Sequence, residues 1–261
     1  MTRVIAIIQA RMNSERLPGK VLKLINGRTF IELIIRRLER SNLIDDIVFA
    51  LPDNQSSHPI ISLLKSININ YHLGDEHNLV SRYLEAAKAH NADYIIRITA
   101  DCPFVDPDII DNMIKKILSN KLDFITNVFP PSWPDGLDIT IFSIKTLLKT
   151  NKYASLNSDK EHVVPWMWKN SNLKNKNMLK AFNHIAPMDM RKYRWTLDTK
   201  EDYDFFNKTA KKLSWDMLVE MTWEGFIDFY KNNHNLSFIN KKNKRDEGYK
   251  ISLDKDQNIE I

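Results

Sequence analysis

Through the first half of the chain, short runs of consecutive apolar residues alternate with longer stretches in which apolar residues return every three or four positions. The run Val4 to Ile8 has no polar break, as expected of a strand covered on both faces. Phe30, Leu33, Ile34 and Leu38 then repeat at helical spacing, so a helix is predicted over that strand. A second strand is expected from Asp46 to Leu51, closed by Pro52 and the turn formers Asp53 and Asn54. A helix at Ile60 to Leu64, a strand from Ile67 to His72, a helix opened by Asn78 and a strand from Tyr94 to Thr99 complete the series. Strands that alternate with helices need crossover connections, which predicts an α/β fold with a mostly parallel sheet.

Beyond Ile125 the rhythm changes. Pro130, Pro131 and Pro134 crowd around Trp133, and proline suits neither a helix interior nor a central strand, so a loop on the sheet rim is expected. A strand from Leu137 to Phe142 and a helix through Ile144, Leu147 and Leu148 follow. In SDKEHVVPWMWKN, Ser158 reads as a helix cap with Glu161 completing a capping box, and Pro165 as an interruption. Further helices are predicted over Lys200 to Lys212 and Trp223 to Asn233. Trp166, Met167 and Trp168 suit a packed subdomain or a dimer surface better than a platform for stacking bases. Residues 130–190 are therefore expected to form a smaller substrate and dimerisation subdomain within one domain spanning 1–261.

Composition narrows the classes. At 261 residues, 43% hydrophobic and 27% charged, the chain can build one substantial core. No run of about 18 apolar residues occurs, so no membrane partner is expected. The start MTRVIAII has no small-residue cleavage site, and a cytoplasmic protein is expected. Cys102 is the single cysteine, which excludes an intrachain disulfide and a cysteine-rich zinc site. A net charge of +5 suits a polyanionic small molecule, and nucleic acid is not expected as a partner.

The charge is concentrated where it carries chemistry. QARMNSERLPGK, Gln9 to Lys20, follows the first strand and holds Arg11, Arg16 and Lys20 among Asn13 and Ser14, with Gly19 allowing close backbone approach. This reads as a phosphate-binding loop able to hold a triphosphate. Asp101 comes just past the end of the Tyr94 to Thr99 strand, and ligands of open α/β sheets bind outside the carboxyl ends of the strands. A carboxylate facing three cations fits magnesium-dependent phosphoryl or nucleotidyl transfer. The alternative is that Asp101 caps the helix after Pro103.

With both segments in view, the chain resembles the cytidylyltransferase superfamily that activates sialic and related acidic sugars, and most closely its spore coat polysaccharide biosynthesis protein F branch. SERLPGK (Ser14 to Lys20), ITADCPFVDP (Ile98 to Pro107), PDGLDI (Pro134 to Ile139), RWTLDTKEDYDF (Arg194 to Phe205) and RDEGYKISL (Arg245 to Leu253) carry the resemblance. It implies a three-layer, Rossmann-like nucleotide-binding fold and transfer of CMP from CTP to a sugar or sugar-acid acceptor. It also implies pyrimidine recognition at the backbone of Ala10 and Arg11, a triphosphate held by Arg16 and Lys20, magnesium on Asp101 and Asp198, and a homodimer. Gln9 departs from the proline usual in enzymes for sialic acid or Kdo. Chemically, Arg16 suits clamping because a guanidinium offers paired donors, whereas the Lys20 ammonium suits the leaving side.

Several residues keep two readings. Asp198 could ligate metal or cap the helix opened by Thr199. Asp135 and Asp138 could contact acceptor hydroxyls or shape their turn. His162, beside Glu161, could meet the acceptor or act as a base, or serve as a structural hydrogen-bonder. The basic run Ile239 to Arg245 could be solvated or reach back to phosphate. A rival function is a glycosyltransferase using Asp106 and Asp108 as a DxD motif, although acidic residues also suit a helix start.

Overall fold

Val4–Gln9 (β1) runs through the middle of a seven-stranded sheet, and its alternation explains the two layers around it. The computed structural model describes residues 2–257. Val4, Ala6 and Ile8 enter one core cluster, while Ile5 and Ile7 enter the other. The hairpin Leu24–Ile25 (β2) and Arg28–Thr29 (β3) leads into Phe30–Leu38 (α1), whose start is fixed by a capping box between Thr29 and Glu32. Then come Asp46–Pro52 (β4), His58–Ser66 (α2), Asn70–Gly74 (β5), Leu79–Ala89 (α3) and Tyr94–Thr99 (β6). Pro107–Asn120 (α4) and Phe124–Thr126 (β7) precede Thr140–Ser143 (β8) and Ile144–Tyr153 (α5). Asn157–His162 (α6), Val164–Lys169 (α7) and Ala181–Asn183 (β9) follow. Lys200–Ala210 (α8), Trp215–Glu220 (α9), Trp223–Asn232 (α10) and Glu247–Gln257 (α11) complete the described chain.

The sheet order is β5-β4-β1-β6-β8-β7-β9. Only β8 runs against its neighbours, so the sheet is mostly parallel and the fold is Rossmann-like α/β, as expected. α1, α2, α4, α8, α9 and α10 pack on one face, and α3, α5 and α7 on the other. Residues 130–190 supply β8 and β9 of this sheet, the covering helices α5 and α7, and α6 between them.

One strand starts later than the sequence suggests. Ile67 ends α2, Asn68 takes a left-handed φ of 56°, and the amides of Asn68 and Ile69 turn back to Lys65 and Leu64. The apolar Ile67 and Ile69 thus belong to a helix stop, and pairing begins at Asn70. α3 and α4 end in the same way, at Asn91 and Lys121.

The capping box expected at Ser158 is not formed. Leu156 occupies the cap position, Ser158 lies inside α6 with its amide donating to Asp256, and Glu161 accepts from Ser252 of α11. The C-terminal helix packed over α6 supplies partners the local sequence could not disclose. The break before Pro165 falls at Val163, which is buried at φ 66°.

Candidate active site

The loop after β1 is tied by its own backbone. The amides of Ser14 and Gly19 both donate to Met12 O at 3.0 Å, and Gly19 adopts φ 65° at the start of a short helical turn, Lys20–Leu22. Leu17 and Val21 anchor the loop in the core on the α1 side. Lys20 is consequently buried, and its Nζ lies 2.8 Å from Asp101 Oδ2 and 3.0 Å from Asp198 Oδ1.

Neither carboxylate is a helix cap. Asp106 caps α4 through the amides of Asp108 and Ile109, and Thr199 caps α8 in a capping box with Asp202. Asp106 also accepts from the Trp223 amide and is fully buried, so the Asp106 and Asp108 pair serves the start of a helix and not an open metal site. Asp101 and Asp198 are left to face the loop. Burial alone would raise the Asp101 pKa, but the Lys20 ammonium overrides it and holds the carboxyl at about 2. Burial would likewise lower Lys20, and the two carboxylates reverse the direction.

Arg16 joins the same cluster, bonded to Asp198 and to Glu247 at the start of α11. Beside it lies a ring the sequence reading found only by half. Asp135 accepts from Arg194 at 2.6 Å, Arg194 also grips Asp202, and Arg245 bonds Asp138 and the Trp133 carbonyl. Burial first, then the adjacent Asp138, raises the Asp135 pKa, with Arg245 and Arg194 opposing; Asp138 is raised by burial against Arg245. Gly136 makes the turn possible: at φ 104° a Cβ would sit 2.4 Å from the Trp195 carbonyl carbon. Arg194 and Glu247 were missed, although they lie inside the RWTLDT and RDEGY stretches that carried the resemblance.

Other expected residues lie around this centre. Ala10 is buried, Ser14 half-buried and Arg11 exposed without a side-chain hydrogen bond among the described residues. The Gln9 side chain accepts from Tyr83 at 3.2 Å, turned under α3. His162 Nε2 lies 3.0 Å from Ser252 Oγ, and burial, aided by Arg97 and Arg11, lowers its pKa to about 4. Arg245, the last residue of the basic run, returns to the site and meets a carboxylate there.

A sequence model described as cytidylyltransferase matches residues 5–237. The chain belongs to the cytidylyltransferase family. It is thus a nucleotidyltransferase. Among its relatives, the spore coat polysaccharide biosynthesis protein SpsF of Bacillus subtilis is 29% identical over 218 residues, covering 81% of this chain and 88% of that protein. An uncharacterized protein of Methanocaldococcus jannaschii is 30% identical over 252 residues, covering 95% and 98%. Among solved structures, a cytidylyltransferase from Leptospira borgpetersenii serovar Hardjo-bovis superposes with a TM-score of 0.83 at 31% identity, covering 90% of this chain and 97% of that one. The CMP:2-keto-3-deoxy-manno-octonic acid synthetase complexed with CTP shares the fold, with a TM-score of 0.60 at 16% identity over 81% of this chain and all of that one. Among the described residues, no helix of this cytidylyltransferase is long and apolar enough to cross a membrane.

Proposed function

We propose that the protein transfers CMP from CTP to a sugar or sugar-like acid, releasing pyrophosphate, in the cytoplasmic synthesis of surface polysaccharide or glycoconjugate. The observation that carries this is the convergence of Lys20 with Asp101 and Asp198 at the mouth of the loop that also bears Arg16. An acceptor hydroxyl loses its proton to water as its oxygen bonds the α-phosphorus, the bond to the bridging oxygen breaks, and pyrophosphate leaves with that electron pair. Arg16 grips the triphosphate with paired donors, and Lys20 neutralises the leaving side. The loop backbone at Gln9, Ala10 and Arg11, with Ser14 beside it, frames the nucleotide. Asp135, Asp138, Glu161 and His162 border the acceptor side.

Asp101 and Asp198 fit magnesium by donor chemistry, since hard carboxylate oxygens already share one cation there. Among the described residues no three acidic, histidine or cysteine side chains converge on one point, so phosphate and water would complete the shell. Bound there, the ion would supply charge neutralisation on the phosphate oxygens. A homodimer belongs to this reading; Phe182, Ile185 and Met188, exposed at and just beyond the edge strand β9, offer apolar surface for it.

The test is incubation with magnesium, each of the four nucleoside triphosphates and a panel of sugar acids and neutral sugars, scored by pyrophosphate release. Selective release with CTP and a sugar acid is expected. Silence with every acceptor together with no triphosphate binding would remove the reading.

A further inference from the structure

Arg97 is a cation without a counter-charge at the edge of the site. It lies on β6, opposite Ile7 of β1 and Thr140 of β8. Its neighbours Ile96 and Ile98 point into the core on the α1 side, so Arg97 faces the other layer, with Ile95, toward α3. Its charge acts on Tyr83 of α3, His162 of α6 and Asp138 in the turn after the proline-rich loop. Among the described residues it makes no hydrogen bond and no ion pair, and its Nε is sealed with nothing to donate to. The two Nη atoms are not sealed and the residue is only partly buried, while the groups its charge acts on lie on α3, α6 and that turn.

Such an arrangement needs a reason. A guanidinium stays charged at every physiological pH, and a partly buried charged donor left unpaired costs free energy. The other site cations are matched: Lys20 by Asp101 and Asp198, Arg16 by Asp198 and Glu247, Arg194 by Asp135 and Asp202, Arg245 by Asp138. The carboxylates of Arg97's own corner are taken, Asp138 by Arg245 and Glu161 by Ser252. Arg11 adds a second unmatched cation, and its charge also reaches His162.

The geometry points to Arg97 as the residue that binds a carboxylate of the acceptor, through the two Nη groups left open. This rests on the nucleotidyl-transfer reading above. An acceptor carboxylate, and not a nucleotide phosphate, is the fitting anion because the phosphate-binding end of the loop, Leu17 to Val21, is anchored on the opposite face of the sheet, toward α1. Planar guanidinium and planar carboxylate match in a two-bond pair. Arg97 touches no reacting atom in this role; it selects acidic acceptors over neutral ones.

The test uses the 15N-labelled full chain with magnesium, with and without CTP. Gluconate, 2-keto-3-deoxy-manno-octonate and the neutral glucitol are titrated while the Arg97 Nε–H resonance is followed, and CTP affinity is measured by calorimetry. The acids should move the resonance and glucitol should not. Arg97→Gln should weaken acid binding about tenfold or more while CTP affinity stays within about twofold, and Arg97→Lys, which keeps the charge, should restore part of the loss. Loss of CTP affinity with the acid response intact would make Arg97 a phosphate ligand and overturn the assignment. So would a resonance that ignores both acids, or variants that change neither affinity. Failure of the wild type to bind CTP would count against nucleotidyl transfer instead, and the titration without nucleotide would still decide Arg97.

Discussion

Lys20 Nζ stands 2.8 Å from Asp101 Oδ2, across 81 positions of the chain. Asp101 caps no helix and accepts from the one ammonium shared with Asp198, so its charge is held for the site. Asp101→Asn should lower turnover by about 10²–10³, the usual effect of removing one electrostatic group at a reacting centre, with a smaller loss of stability than Lys20→Ala because Lys20 keeps Asp198. Pyrophosphate release at saturating magnesium measures it; unchanged turnover would remove Asp101 from the machinery.

Lys20→Ala should cost both function and stability. It leaves two carboxylates facing each other without the ammonium that holds Asp101 near pKa 2, a loss of roughly 2–4 kcal/mol by the behaviour of buried pairs. Urea unfolding should show the deficit, and calorimetry a weaker affinity for CTP. Wild-type stability would contradict the pairing.

Gly136→Ala should distort the Asp135 and Asp138 turn. Its φ of 104° and the 2.4 Å approach to the Trp195 carbonyl leave no room for a methyl group, so a loss of about 2 kcal/mol or more is expected from strain alone. Thermal unfolding checks this, and the variant should also raise KM for the acceptor.

His162 makes the contact between α6 and α11 sensitive to acid. Its native pKa is lowered to about 4, against about 6.5 in the unfolded chain, so the unfolded state binds the proton first. The contribution is complete above about pH 6.5 and lost as pH falls to about 4, amounting to ~2 kcal/mol for a side chain still 25% exposed. Urea midpoints across that window should fall for the wild type and stay flatter in His162→Gln; parallel curves would refute the assignment.

Arg37 is a structural counterpart to the site. Fully buried in α1, it donates to Val105 O, Leu218 O and Val219 O, tying α9 to the segment before α4. Arg37→Ala leaves those carbonyls unpaired and should destabilise by about 3–5 kcal/mol, read from denaturant unfolding. A loss below about 1 kcal/mol would show that water replaces the guanidinium there.

What the sequence by itself determined is local. The apolar run of β1, the helical repeat of α1 and the cation-rich loop between them are legible because strand period, helix period and glycine placement act over a few residues. Asp101 was legible too, as a carboxylate just past the end of a strand. The start of β5 was misjudged because Ile67 and Ile69 look like strand residues until the left-handed Asn68 ends α2. Tertiary structure alone decided which charges meet. Arg194 and Arg245 find Asp135 and Asp138, and Ser252 takes Glu161 from the capping box expected of it and bonds His162. Those partners lie 59 to 107 positions away, and a hydrogen bond depends on where the fold brings two atoms, which no local periodicity encodes.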